Sequence, residues 1–266
     1  MVTPRIGNPV KEKLASGGTA LGLGLRLMRS AEIARIARAT GHDFLFIDVQ
    51  HGLYDLATIG HIAQAAAALG VAPVARLRSV RDPDVQALLD NGVTGIVFPD
   101  IGSAAEARAA VEAVRFAPLG RRSVTGGYPH FDYAAVPPAE ALPAVEASTL
   151  LVCMIETRAG VEAIEAIAAV PGIDVIHVGM NDLLTDMGMP GRYEDAGFQV
   201  ALDRVFAACH AHGRHVGCGG QRDPAAQAAM IRRGARFLTT QTDLGLLLAG
   251  AGAWTRGIAA ALAPEG

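Results

Sequence analysis

Eight short apolar or β-branched runs recur along the whole chain with stretches of helical spacing between them, and that alternation leaves few folds open. The runs cover residues 19–25, 44–49, 73–77, 95–99, 150–156, 175–179, 215–219 and 237–241. Helical spacing or Ala-rich composition fills 31–40, 55–69, 82–90, 103–114, 160–169, 199–212 and 224–233. Parallel strands need a long crossover, which a helix supplies. Eight βα units without a break in composition therefore predict an α/β fold, a closed (β/α)8 TIM barrel, with an open doubly wound sheet as the lesser alternative. The expectation is a single domain over 1–266, with 1–18 as an N-terminal extension.

A net charge of −3 gives no basic field for nucleic acid or anionic lipid, so small molecules are the expected partners. Cys153, Cys209 and Cys218 are odd in number and form no Cys-x-x-Cys pair, which argues against a disulfide framework or structural zinc and fits a reducing cytoplasm. They read as small core residues, not nucleophiles. Residues 1–18 hold no secretory-type apolar stretch, and no later run approaches the length of a membrane span.

Barrels of this kind build their chemistry at the carboxyl ends of the strands. Those ends carry Asp48 and His51, then Arg76, Asp100, Glu156, Asp182, Gln221 and Asp243. Glu156 and Asp182 follow neighbouring strands, which lie about 5 Å apart, so both side chains can reach one ion. Two hard oxygen ligands without matching Cys or His favour Mg²⁺ or Mn²⁺, with Co²⁺ possible, over zinc. The competing reading is that each acid caps the helix after it. Backbone N–H groups from Gly179 through Asn181 to Asp182 could hold a carboxylate or phosphate, or form an ordinary tight turn; no Gly-x-Gly-x-x-Gly or Walker pattern points to a nucleotide.

His51 lies in a loop where a near-neutral imidazole could move a proton, with Asp90 as one candidate partner; the alternative is a solvated, idle histidine. Arg76 is a cation in an apolar strand and requires a carboxylate or a substrate oxyanion, so a structural ion pair is the competing reading. His210, His212 and His215 fall near the opposite rim and read as a solvated face. Two overlong connections, 100–149 and 180–214, contain the segments 120–127 and 189–193, expected to cover the site. Lys11 and Lys13, both N-terminal, are the only lysines, so a Schiff-base mechanism lacks its amine.

The strand ending in Asp48-x-x-His51, Pro73–Arg76, Leu88-Leu89-Asp90, Pro118–Arg122, Ile155-Glu156-Thr157-Arg158 and Gly179–Leu183 together resemble the HpcH/HpaI aldolase family, the metal-dependent class II pyruvate aldolases. The resemblance spans roughly residues 19–248. It implies a carbon–carbon lyase that reversibly cleaves a 4-hydroxy-2-oxo acid to pyruvate, or a related 2-oxo acid, and an aldehyde through a metal-bound enolate. It further implies that Glu156 and Asp182 ligate the metal, that Arg76 stabilises the enolate and that His51 with Asp90 handles the proton. Gly179, Asn181, Asp182 and Arg76 would bind substrate, with Asp48, Gln50 and Met154 behind them. C-terminal helices exchanged between subunits and a homo-oligomer, a hexamer built as a trimer of dimers, complete the expectation. Gln50 departs from a Glu often found before the His, Met154 from a Gln that helps order metal-bound water, and Ser123 from a frequent Gly. The alternatives are a citrate-lyase-β-like enzyme acting on a CoA thioester, for which Arg121-Arg122 is the one candidate phosphate contact, and a non-catalytic barrel that binds a keto acid.

Overall fold

A computed structural model describes residues 6–262 of the chain. Its strands are β1 (Ala20–Leu25), β2 (Phe44–Asp48), β3 (Ala72–Arg76), β4 (Gly95–Phe98), β5 (Leu150–Ile155), β6 (Val175–Gly179), β7 (His215–Gly219) and β8 (Ala235–Thr242). All are parallel, each pairs with the next, and β8 closes on β1, so the sheet is a barrel with no edge. The helices are α1 (Pro9–Ala15), α2 (Ile33–Ala39), α3 (Leu56–Ala68), α4 (Val85–Asp90), α5 (Ala104–Val114), α6 (Pro138–Ser148), α7 (Arg158–Glu162), α8 (Ile164–Ala168), α9 (Met180–Asp186), α10 (Ala196–Ala211), α11 (Pro224–Arg233) and α12 (Asp243–Leu262). All eight predicted strands are present. Among the helices, α1, α6, α9 and α12 lay outside the sequence expectation.

Successive side chains on a strand point to opposite faces, and that period of two sorts the core. One set, including Leu45, Ile47, Ala75, Ile96, Cys153 and Ile176, packs outward against the helices. The other set, including Phe44, Phe46, Val74, Val97, Val152, Met154, Val175 and Phe237, fills the lumen. The rings of Phe44 and Phe237 stack at 4.2 Å between centroids. Gly22 makes room for them, since a Cβ there would lie 2.1 Å from the Phe44 ring.

The expected N-terminal extension does structural work from residue 8 onward; Met1–Arg5 lie outside the described residues. Val10 and Leu14 of α1 are buried in the lumen cluster and stopper the amino end of the barrel. Asn8 caps α1 through Oδ1, while its Nδ2 donates to the carbonyls of Thr94 (3.0 Å) and Ser148 (2.9 Å) at the starts of β4 and β5.

Helix α12 corrects the reading that no run approaches the length of a membrane span. Its 20 residues have a mean hydropathy of 1.3, long and apolar enough to cross a membrane by length and composition. Leu246, Leu247, Leu248, Trp254, Ile258 and Leu262 are all exposed along it. Only its first residue, Asp243, is buried: the carboxylate accepts from the backbone N–H groups of Arg26, Leu27 and Met28 at 2.7–3.0 Å and fixes the loop after β1.

Candidate active site

Register and alternation place the polar residues. Phe46, Val74 and Met154 face the lumen, so the side chains two positions on, Asp48, Arg76 and Glu156, face it one layer higher. Asp48 and Arg76 are also direct partners across β2 and β3. Arg76 therefore forks onto Asp48, with Nε donating to Oδ1 at 3.1 Å and Nη2 to Oδ2 at 2.7 Å. The structural ion pair weighed for Arg76 is thus real, yet Nη1 meets no carboxylate among the described residues and lies 4.0 Å from the Met154 sulfur.

These residues line a cavity of about 270 Å³ at the carboxyl rim, together with Arg26, His51, His177, Gly179, Asn181, Asp182, Arg222 and Thr239. Glu156 is 3% exposed. Burial pushes its pKa up to about 7, Asp100 and Asp182 add repulsion, and the N–H of Asp100, donating to Oε1 at 3.0 Å, together with Arg76 partly offsets the rise. A buried carboxyl group beside two further acids has its charge stabilised by a cation. Gly179 leaves the space, since a Cβ there would lie 2.4 Å from Glu156 Oε2. The residues therefore fit a hard divalent ion. Among the described residues no cluster of three His, Cys, Asp or Glu forms a metal cage, so Glu156 and Asp182 would be the only such side chains on the ion.

Helix capping does not account for Glu156, because Thr157 is the N-cap of α7 and accepts from Gly160 N–H. Asp182 lies in the first turn of α9, capped at Gly179, so the backbone of Gly179, Asn181 and Asp182 is presented at a helix start. The Asn181 side chain is engaged from the second overlong connection, where Tyr193 Oη donates to Oδ1.

His51 borders the cavity, its backbone N–H donating to Asp48 Oδ1 at 3.2 Å. Asp90 is not beside it within the protomer. It ends α4 at the amino end of the barrel, where it accepts from Arg122 Nη2 at 3.0 Å and from Gln86. The physical reason is topological: a crossover helix returns to the end from which the next strand starts. The expectation that 120–127 covers the site is corrected for the same reason. Arg122 is buried there, stacked on Phe116 and within 3.4 Å of Thr149 Oγ1, so Arg121-Arg122 forms no open phosphate groove. Gln50, expected close behind the site, does not line the cavity, and its Oε1 is buried without a hydrogen-bond partner among the described residues. The histidine reading holds for His210 and His212, which are exposed. Cys153, Cys209 and Cys218 are buried, and burial pushes each thiol to about 12.

Sequence reading missed Arg26, Arg222 and His177. Arg26 directly follows the first strand and Arg222 adjoins the rim residue Gln221, so position alone could have flagged both. Arg26 Nε is 3.8 Å from Asp48 Oδ2. His177 faces inward from β6 between the rings of Phe46 and Phe237, in space that a Cβ at Gly217 or Gly219 would occupy. Burial, then the charges of Arg76 and Arg222, lower its pKa to about 3, so it is a neutral imidazole at physiological pH. Both lysines sit at the far end, Lys11 on Asp174 and Lys13 on Asp43, each at the approach to a strand start.

A closed parallel barrel with three guanidiniums, three carboxylates and a neutral imidazole around one small rim cavity has the construction of a barrel enzyme acting on a small anion. The chain belongs to the HpcH/HpaI aldolase/citrate lyase family, whose sequence pattern matches residues 27–249. It is 39% identical over 250 residues to a 4-hydroxy-4-methyl-2-oxoglutarate aldolase of Hapsidospora irregularis, covering 92% of each chain. It is 33% identical to a 4-hydroxy-2-oxo-heptane-1,7-dioate aldolase of Salmonella paratyphi C, again over 92% of each. The crystal structure of an HpcH/HpaI aldolase from Desulfitobacterium hafniense superposes with a TM-score of 0.90 at 29% identity, over 96% of this chain and 97% of that one.

Proposed function

We propose that this protein is a class II pyruvate aldolase, an aldehyde-lyase that reversibly cleaves a 4-hydroxy-2-oxo acid to pyruvate, or a related 2-oxo acid, and a carbonyl partner. The observation that carries the reading is Glu156, a buried acid facing Asp182 across one cavity with Arg76 on the wall. A divalent ion held by Glu156 and Asp182, Mg²⁺ or Mn²⁺ and less readily Co²⁺, supplies Lewis acidity toward the carbonyl of the oxo acid. The remaining chemistry belongs to the chain. The backbone N–H groups at the start of α9 receive the substrate carboxylate. Arg76, held by Asp48, aims Nη1 at the charge that develops on the C2 oxygen as the C3–C4 bond breaks.

His51 takes the proton from the 4-hydroxyl and returns it in the synthetic direction. The carboxylate orienting it comes from a neighbouring protomer, because Asp90 of the same chain is at the other end of the barrel. The exposed apolar length of α12 is the surface that packs in that assembly, a homo-oligomer of hexameric, trimer-of-dimers type. No lysine reaches the rim, so an enamine route has no amine to use.

The test is pyruvate release from 4-hydroxy-2-oxo acids after chelation and after return of Mg²⁺, Mn²⁺ or Co²⁺. Glu156→Ala and Asp182→Ala are each expected to remove metal-dependent turnover while the barrel stays folded, judged by its circular dichroism. Full activity in the chelated wild type, or metal-dependent activity in both variants, would overturn the reading.

A further inference from the structure

Each of the three cavity arginines should answer to a negative charge. Arg76 and Arg26 share Asp48. Arg222 has no carboxylate within 4 Å among the described residues; its Nη1 donates to the carbonyls of Thr239 (3.2 Å) and Thr240 (3.0 Å), which anchor the guanidinium to the end of β8. Nε and Nη2 make no hydrogen bond among the described residues, and the side chain borders the cavity and is open to solvent through it. Glu156 and Asp182 are committed to the proposed ion. With that ion bound, three arginines and a dication face three carboxylates, leaving the cavity two charges positive, which matches a dicarboxylate.

Position decides which end of the ligand Arg222 meets. In a closed ring of eight strands, β8 and β3 are separated by β1 and β2. The Arg222 guanidinium is anchored on the β8 carbonyls, whereas Arg76 ends β3, so the two cations reach the cavity from different sides. The pyruvate half is taken up by Arg76, the acids and the start of α9, so the cation on the β8 side faces the carbonyl partner.

We infer that Arg222 is a specificity-determining residue that binds a carboxylate on the carbonyl partner, so that the preferred acceptor is a short oxo acid and the cleaved substrate a dicarboxylate. This rests on the aldolase reading and adds the substrate class to it. In synthesis C3 of pyruvate loses a proton, bonds to the acceptor carbonyl carbon, and the acceptor oxygen gains a proton to become the 4-hydroxyl. The acceptor carboxylate stays unreacted and serves only as the handle. A bidentate guanidinium–carboxylate contact is both stronger and more directional than a lysine contact.

The experiment compares glyoxylate with acetaldehyde as acceptors for pyruvate, using the Mn²⁺-loaded wild type, Arg222→Met and Arg222→Lys. The ratio of kcat/KM for glyoxylate to that for acetaldehyde is expected to fall about tenfold or more in Arg222→Met, mostly through KM for glyoxylate, and to recover partly in Arg222→Lys. A readout without turnover is competition by 2-oxoglutarate against 2-oxopentanoate, which differ by the distal carboxylate. The wild type should bind 2-oxoglutarate more tightly, and Arg222→Met should lose that preference. Equal losses with both acceptors, or an unchanged ratio and an unchanged binding preference, overturn the assignment while the aldolase reading stands. A wild type that turns over neither acceptor defeats the aldolase reading and this assignment together.

Discussion

At the residue scale the site turns on one acid kept at an unusual pKa. Glu156 holds its proton to about pH 7 because burial disfavours the carboxylate, whereas in the unfolded chain it ionises near its ordinary value. A raised carboxyl pKa means the stability from this group is full at acid pH and is lost as pH rises through the window from about 4.5 to 7. Glu156→Gln removes that penalty, so the metal-free variant is expected to melt above the metal-free wild type at pH 8, by about 3 °C or more, and to lose all stabilisation by added Mn²⁺. Scanning fluorimetry with and without the ion checks both halves. The proton and ion also compete, so the apparent Mn²⁺ affinity of the wild type should rise by up to about tenfold per pH unit below pH 7 and level off above it. A pH-independent affinity from calorimetric titration would contradict Glu156 as a ligand.

The element that changes most between sequence and structure is α1. Its sequence reads as a polar extension because Lys11, Glu12 and Lys13 break the apolar pattern, and only two of its positions, Val10 and Leu14, are committed inward. In the fold those two plug the lumen, and Asn8 ties the plug to the starts of β4 and β5 through buried carbonyls. Asn8→Ala loses the cap and takes the Asn8 amide donor from the Ser148 carbonyl, while the Thr94 carbonyl keeps the Leu150 N–H, an expected cost of about 1–2 kcal/mol in the unfolding free energy from denaturant titration. A loss under about 0.5 kcal/mol would mean that α1 is not part of the cooperative unit. The strands were legible because their burial on both faces writes continuous apolar runs. Helix α9 was not, because it begins at Met180 with no connecting loop and carries the polar residues of the site in its first turn.

For the whole molecule the surface that matters most is α12. A 20-residue helix with Leu247 52% and Trp254 76% exposed presents more apolar surface than an isolated monomer ordinarily leaves in water. In the proposed assembly, association of copies would bury that surface and bring other protomers' residues toward His51. The double variant Leu247→Asp, Trp254→Glu is expected to shift the protein toward smaller species in light scattering and to lower turnover by about tenfold or more, as His51 loses its orienting partner. A wild type that is monomeric at micromolar concentration, with full activity, would exclude this assembly.

The sequence by itself determined the eight-fold strand and helix alternation, the ring of polar residues at one rim and the absence of an amine there. All three are written in local patterns: apolar runs, the residue that ends each run, and residue counts. Only the tertiary structure decided which of those residues meet. The closure of β8 on β1 brought Arg222, held at β8, to the same cavity as Arg76, the β2–β3 register joined Asp48 to Arg76, and the return of α4 carried Asp90 away from His51. The physical reason is that a contact across a barrel depends on ring closure and strand register, which are properties of all eight strands at once and of no segment alone.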